Sequence, residues 1–327
     1  RAGAGTDWSR RRGGSPLPTL PVAPVDAADR QVPTRWQNAP VRRWILGARL
    51  RTLPAALVPV AVGTAVAAGS GVVWWRAGAA LVVSLALQVG TNFANDLSDG
   101  LRGADGPDRV GPQRLVGSGL ATPAEVRLAV LISFTVAALV GLTLAIAVSL
   151  WLLLVGAVSI AAGWFYTGGP RPYGYLGLGE VFVFTFFGLV ATVGSAYLHQ
   201  RQVTGLAVLA GAAVGLLACS LLVANNLRDI PTDSAVGKRT LAVRMGDRST
   251  RVLFVVFIDG ALVVGSLCAL VRPWALLTLV GGLAAGPAVR RVLARTSGAA
   301  LVPVLVGTAR TQLVAGLMLA LGLALSA

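Results

Sequence analysis

Lysine and histidine each occur once in these 327 residues, cysteine twice, and acidic side chains number 13 against 28 basic ones. The two cysteines, Cys219 and Cys268, lie inside long apolar runs without metal-like spacing. That excludes a disulfide framework and leaves them as small apolar fillers. The lone His199, beside Gln200 and Arg201, has the setting of a surface histidine. Charged residues make up only 13% of the chain and hydrophobic ones 55%, with mean hydropathy +0.74, which excludes a soluble globular domain. A net charge of +15 invites nucleic acid, but the placement of the charge points to a lipid surface instead.

Long apolar runs are what the chain has in abundance. Nine segments, at about 52–70, 76–97, 124–146, 149–166, 176–198, 203–227, 250–271, 273–290 and 299–325, approach the roughly 20 residues a helix needs to cross a bilayer. The expected fold class is therefore all-α, a polytopic membrane protein of about nine transmembrane helices. Residues 1–38, rich in Arg, Pro, Gly and Ser, hold no apolar run and are expected to form a disordered basic arm before a transmembrane domain at 39–327. With that arm on one side, ten arginines through Arg51 and fourteen basic residues in the loops at 100–127, 167–175, 228–251 and 290–295 share its face. Only Arg76, Arg201 and Arg272 fall on the other. The basic excess marks the cytoplasmic side.

Two polar stretches interrupt this pattern. The first runs Asn92-Phe-Ala-Asn95-Asp96-Leu-Ser-Asp99 and on to Asp105 and Asp108. The second runs Asn225-Asn226-Leu-Arg228-Asp229-Ile-Pro-Thr-Asp233, followed by Lys238, the single lysine. Together they hold six of the thirteen carboxylates, each stretch at the end of an apolar run, on the basic side. Carboxylates are costly near a bilayer, and clustered ones usually hold cations. On a helix, Asn92, Asn95 or Asp96, and Asp99 share a face, as do Asn225, Asp229 and Asp233, although Pro231 is expected to end or kink the second helix. Carboxylate and amide oxygens suit Mg²⁺, an ion commonly shared with substrate phosphates. Lys238, with Arg49 or Arg228, would add positive charge for phosphate oxygens. The repeated motif implies two bundles facing a central cavity, a device also used by transporters.

Between the fourth and fifth runs, the loop from Tyr166 through Arg171, Tyr173 and Tyr175 to Glu180 could steady a cation or an aromatic acid over its rings, or serve as an interfacial aromatic belt. Asp259 and Arg310, inside the seventh and ninth runs, are expected to pair as a structural ion pair.

The two aspartate-rich stretches resemble those of the UbiA superfamily of intramembrane aromatic prenyltransferases. The resemblance spans about residues 42–326. It is nearest to the branch that prenylates 1,4-dihydroxy-2-naphthoate in menaquinone synthesis, through Arg49-Leu-Arg51-Thr52-Leu53-Pro54 and Gly237-Lys238-Arg239-Thr240-Leu241-Ala242-Val243. It also takes in 111–119 and the Tyr166–Glu180 loop. It implies a Mg²⁺-dependent aromatic polyprenyltransferase in the bacterial cytoplasmic membrane, with nine helices around a cavity and the active site on the cytoplasmic side. By that resemblance Asp96, Asp99, Asp229 and Asp233 would bind Mg²⁺ and, with Lys238, carry catalysis. Asn92, Asn95, Arg49, Asn225, Arg228, Tyr166, Arg171 and Tyr173 would bind substrate. Its partners would be polyprenyl diphosphate, 1,4-dihydroxy-2-naphthoate and the lipid bilayer, with no nucleic acid. Alternatives are another acceptor such as 4-hydroxybenzoate, or a cation-coupled transporter. Acidic groups at the ends of spans, instead of at midplane, argue against the transporter.

Overall fold

The computed structural model describes residues 40–103 and 113–327, and the expected N-terminal arm together with Asp105 and Asp108 lies outside them. The described residues form helices and turns, with no strand among them. The helices are α1 Pro40–Ala48, α2 Pro54–Val66, α3 Trp74–Leu101, α4 Pro123–Val148, α5 Trp151–Phe165, α6 Gly179–Gln200, α7 Gly205–Ala235, α8 Leu241–Leu267, α9 Val280–Leu293 and α10 Val302–Leu325.

Seven of them, with their flanking 3₁₀ turns, are long and apolar enough to cross a membrane. An eighth span results if α1 and α2, bent by 54°, count as one. Every one of the nine expected segments contains a helix, but the count of nine does not follow. The segment at 149–166 yields α5, only 15 residues long. The bend between α1 and α2 has a local cause: Arg49 turns into the left-handed region (φ 52), and Pro54 starts α2 at its first turn, where a missing N–H costs nothing.

α3 and α7 run the same way and carry their polar halves to the same end of the bundle. The other end is closed by the three arginines set apart in the charge pattern. Arg76 donates to Leu198 O at 2.8 Å, Arg201 to Ala147 O at 3.0 Å and Arg272 to Ser326 O at 2.5 Å. Each guanidinium thereby satisfies a carbonyl in or beside the last turn of another helix, a charge that the helix dipole favours there. His199 belongs to this cap and is half-buried, its Nδ1 accepting Val73 N–H at 3.2 Å.

Between lipid-facing helices burial of apolar area drives little, so close approach of small residues holds the bundle. Gly316 lies under Val58 of α2, Gly281 under Ala315 of α10, and Gly188 of α6 against Gly215 of α7. Cys219 and Cys268 are free and buried, as their apolar surroundings implied. The expected ion pair of Asp259 with Arg310 is not formed: both side chains lie on exposed faces of α8 and α10. Nor does Pro231 end α7, which continues to Ala235; only one backbone donor is lost, and Thr232 Oγ1 donates to Asp229 O at 3.0 Å beside it.

Candidate active site

A cavity of about 730 Å³ opens at the end where α3 and α7 deliver their polar halves. Its mouth is lined by Arg49, Asn92, Asn95, Asp99, Asn225, Arg228, Asp229, Asp233 and Lys238, and by Gln113 and Arg114. Its depth is apolar, walled by residues such as Val60, Leu144, Leu152, Phe186 and Phe187. A polar head above a greasy shaft is the shape that a long amphiphile requires. The π-helical stretch Phe184–Val190 within α6, a rare conformation that recurs at functional sites, places Phe186 and Phe187 on that wall.

The two polar stretches meet at Lys238. Its Nζ lies 3.8 Å from Asp99 Oδ2 and 3.5 Å from Asp233 Oδ1. The turn that brings it there depends on Gly237, whose φ of 73 is a left-handed conformation closing α7, after which Lys238 N donates to Asp233 O at 2.9 Å. Asp229 is clasped by its neighbour Arg228, with Nε and Nη2 each 2.6 Å from a carboxylate oxygen. Asn92 donates to Ala48 O and Thr52 Oγ1, both at 2.9 Å, and Arg49 Nη2 donates to Asn92 O at 3.2 Å. The α1–α2 bend is thus tied to α3 at the site.

Two expected site residues are not brought to the cavity. Asp96 is 1% exposed, and its two oxygens accept Leu115 N–H and Val116 N–H, each at 2.9 Å. Both Asn95 and Asp96 lie within one helical step of the Asn92–Asp99 face, and the rotation of α3 gives the cavity to Asn95. Asp96 instead fastens the segment whose preceding residues, Gln113 and Arg114, line the mouth. Arg171 is exposed on the loop and lies outside the lining.

Four participants were not singled out as site residues from the sequence. Tyr175 donates to Asp99 Oδ1 at 2.8 Å, and Arg102 and Lys238 each lie over its ring, 5.1 and 5.2 Å from the centroid. Thr167 donates to Asn95 Oδ1 at 2.8 Å. Asn226 donates to Glu180 Oε1 at 3.0 Å, and Arg114 joins the rim. Tyrosines in a Gly/Pro-rich loop beside two acidic stretches were the available signal, but no periodicity says which ring turns inward. Tyr166 and Tyr173 line the cavity, and Tyr173 stacks on Phe182 at 3.7 Å. Burial raises the hydroxyls of Tyr166, Tyr173 and Tyr175 above the usual tyrosine range. The charges of Glu180 and Asp99 add to the effect for Tyr166 and Tyr175 respectively, so all three remain donors at neutral pH.

Among the described residues no three carboxylates, histidines or cysteines converge closely enough to hold a metal alone. The donor set nevertheless fits a hard cation. Every anionic group at the mouth is a carboxylate, amide oxygens flank them, and Asp233 Oδ2 is buried with no hydrogen-bond partner. Substrate phosphates would complete such a shell.

The sequence pattern of the UbiA prenyltransferase family matches residues 56–305. The chain is 48% identical over 283 residues to 1,4-dihydroxy-2-naphthoate octaprenyltransferase of Mycobacterium tuberculosis, covering 86% of this chain and 97% of that one. With the Escherichia coli protein of the same name it shares 35% over 309 residues, 90% and 98% of the two chains. Its fold is similar to a UbiA homolog from Aeropyrum pernix (TM-score 0.64, 14% identity, 81% and 96% of the chains). It is similar also to one from Archaeoglobus fulgidus bound to GPP and Mg²⁺ (TM-score 0.58, 13% identity, 85% and 99%).

Proposed function

The chain belongs to the UbiA prenyltransferase family, and on that premise we propose that it transfers a polyprenyl group from polyprenyl diphosphate to 1,4-dihydroxy-2-naphthoate. Carbon dioxide and diphosphate are released and demethylmenaquinol, the reduced form of demethylmenaquinone, is formed. The observation that carries this reading is the convergence of two distant acidic stretches on Lys238 at the head of an apolar cavity. The protein is integral to the membrane, and the proposal sets the cavity mouth at the cytoplasmic face of a bacterial cytoplasmic membrane, the side that its basic loops favour.

Asp99, Asp229 and Asp233 are the residues that would hold Mg²⁺, with Asn95 and Asn225 beside them. Bound there, Mg²⁺ would neutralise diphosphate oxygens and make diphosphate a better leaving group. Lys238, Arg49, Arg114 and Arg228 would bind the remaining phosphate oxygens. The prenyl chain lies down the apolar shaft, which excludes water from the allylic carbon. As the C–O bond breaks, its electron pair leaves with diphosphate, and the ring carbon bearing the carboxylate attacks the allylic carbon. Loss of carbon dioxide from that carbon then restores aromaticity. The ring hydroxyls already activate the nucleophile, so positioning and electrostatics carry the acceleration and no strong base is needed. Asp96 acts through the 113–116 segment as a positioning residue.

The test is turnover of the purified protein with a labelled prenyl diphosphate and either 1,4-dihydroxy-2-naphthoate or 4-hydroxybenzoate, products being identified by mass spectrometry. Prenylated naphthoquinol is expected, abolished by a chelator and restored by Mg²⁺. A product from 4-hydroxybenzoate alone would move the assignment to another acceptor within the family.

A further inference from the structure

A second groove, of about 390 Å³, lies on the outer surface between α9 and α10, lined by Pro287, Ala288, Arg291, Val306, Gly307 and Arg310 among others. These helices run antiparallel in close contact, a methyl built on Gly307 falling 3.2 Å from Ala288 Cβ. Arg310 sits about two turns inside α10, on an exposed face that, in a membrane, meets lipid. Neither Arg291 nor Arg310 makes a side-chain hydrogen bond or ion pair among the described residues. The candidate partner inside the spans, Asp259, lies on an exposed face of α8 and does not line this groove.

An unpaired guanidinium at that depth needs an anion or a path to the headgroups. Helix polarity supplies the path. Side chains lean toward the N-terminus of their own helix, so Arg310 on α10 leans toward the site end of the bundle. Arg291, near the C-terminus of the antiparallel α9, leans inward to meet it. The end they approach is the site end, since Arg251, five residues past the Gly246 break in the first half of α8, donates to Val292 O at 2.7 Å and to Thr296 O at 2.9 Å, and α8 begins three residues after Lys238. Two guanidinium groups lining one groove match a phosphodiester, and the wall of Pro287, Ala288, Val306 and Gly307 matches an acyl chain.

We propose that this groove binds an anionic phospholipid from the leaflet facing the site, its phosphate held by Arg291 and Arg310. The full chain in detergent is titrated with phosphatidylglycerol, phosphatidylcholine or inorganic phosphate, and bound lipid is counted by native mass spectrometry. Wild type is expected to retain one tightly held phosphatidylglycerol that neither phosphatidylcholine nor inorganic phosphate displaces. The Arg291→Gln/Arg310→Gln variant should hold it about tenfold or more weakly, as loss of two charged contacts implies. Arg290→Gln, one residue away and outside the groove, should leave it unchanged. Equal retention by the double variant, equal retention of phosphatidylcholine, or displacement by inorganic phosphate alone would overturn the proposal. Should the double variant fail to fold, a photoreactive phosphatidylglycerol on wild-type protein decides: label at 287–291 or 302–310 supports the site, and label only elsewhere refutes it.

Discussion

Lys238 stands between two carboxylates that would repel each other without it, and Asp233 keeps one oxygen buried and unpartnered. Such a group is arranged for a ligand at the expense of the empty fold. Asp233→Asn is therefore expected to abolish turnover while raising thermal stability, by about 1 kcal/mol, a few degrees in a melting experiment. Asp96→Asn should do the reverse to stability. One of its two backbone contacts would face donor to donor, a loss of about 1–3 kcal/mol of stability, read from the shift of the unfolding midpoint. Its kcat/KM should fall as the 113–116 segment loosens. Lys238→Met removes the shared cation, and kcat/KM for the diphosphate should drop by roughly 10- to 150-fold, read from initial rates.

At the scale of helices, contacts between glycines and their neighbours set the spacing. A methyl on Gly322 would meet Trp274 O at 2.0 Å, a backbone atom that cannot swing away. Gly322→Ala is expected to cost about 1–3 kcal/mol, whereas Gly286→Ala, with open space around it, should be neutral or gain up to about 1 kcal/mol. Thermal melts of the two variants in one detergent check the contrast. Much of the element pattern was legible: apolar run length located the helices, and the three- and four-residue steps put Asn92, Asp99, Asp229 and Asp233 on cavity-facing sides. What a run of apolar letters cannot carry is the rotation of each helix. That rotation is why Asp96 faces a loop instead of the cavity, and why Asp259 and Arg310 face outward instead of each other. Tyr175 escaped for a related reason, since an irregular loop has no period from which to read its direction.

For the whole molecule, charge asymmetry is the feature most directly testable. The site end carries Arg43, Arg244, Arg248 and Lys238, and the far end Arg76, Arg201 and Arg272. Both native cysteines are at most 1% exposed, so an introduced thiol reports without background. In intact cells, Trp75→Cys is expected to react with a membrane-impermeant maleimide, and Arg248→Cys only after the cells are opened. The opposite result would invert the proposed orientation without disturbing the cavity itself.

The brevity of α5 bears on how the protein sits among lipids. Its 15 residues span about 23 Å, well under the roughly 30 Å of a typical hydrocarbon core, and all but Ala162 remain at least partly exposed. Beside a helix this short, acyl chains are expected to shorten or tilt, thinning the bilayer along that flank of the shaft. Because α5 residues line the shaft, turnover is expected to vary with bilayer thickness. Cells that adjust their lipid tails with temperature would thereby adjust the fit of the prenyl chain as well.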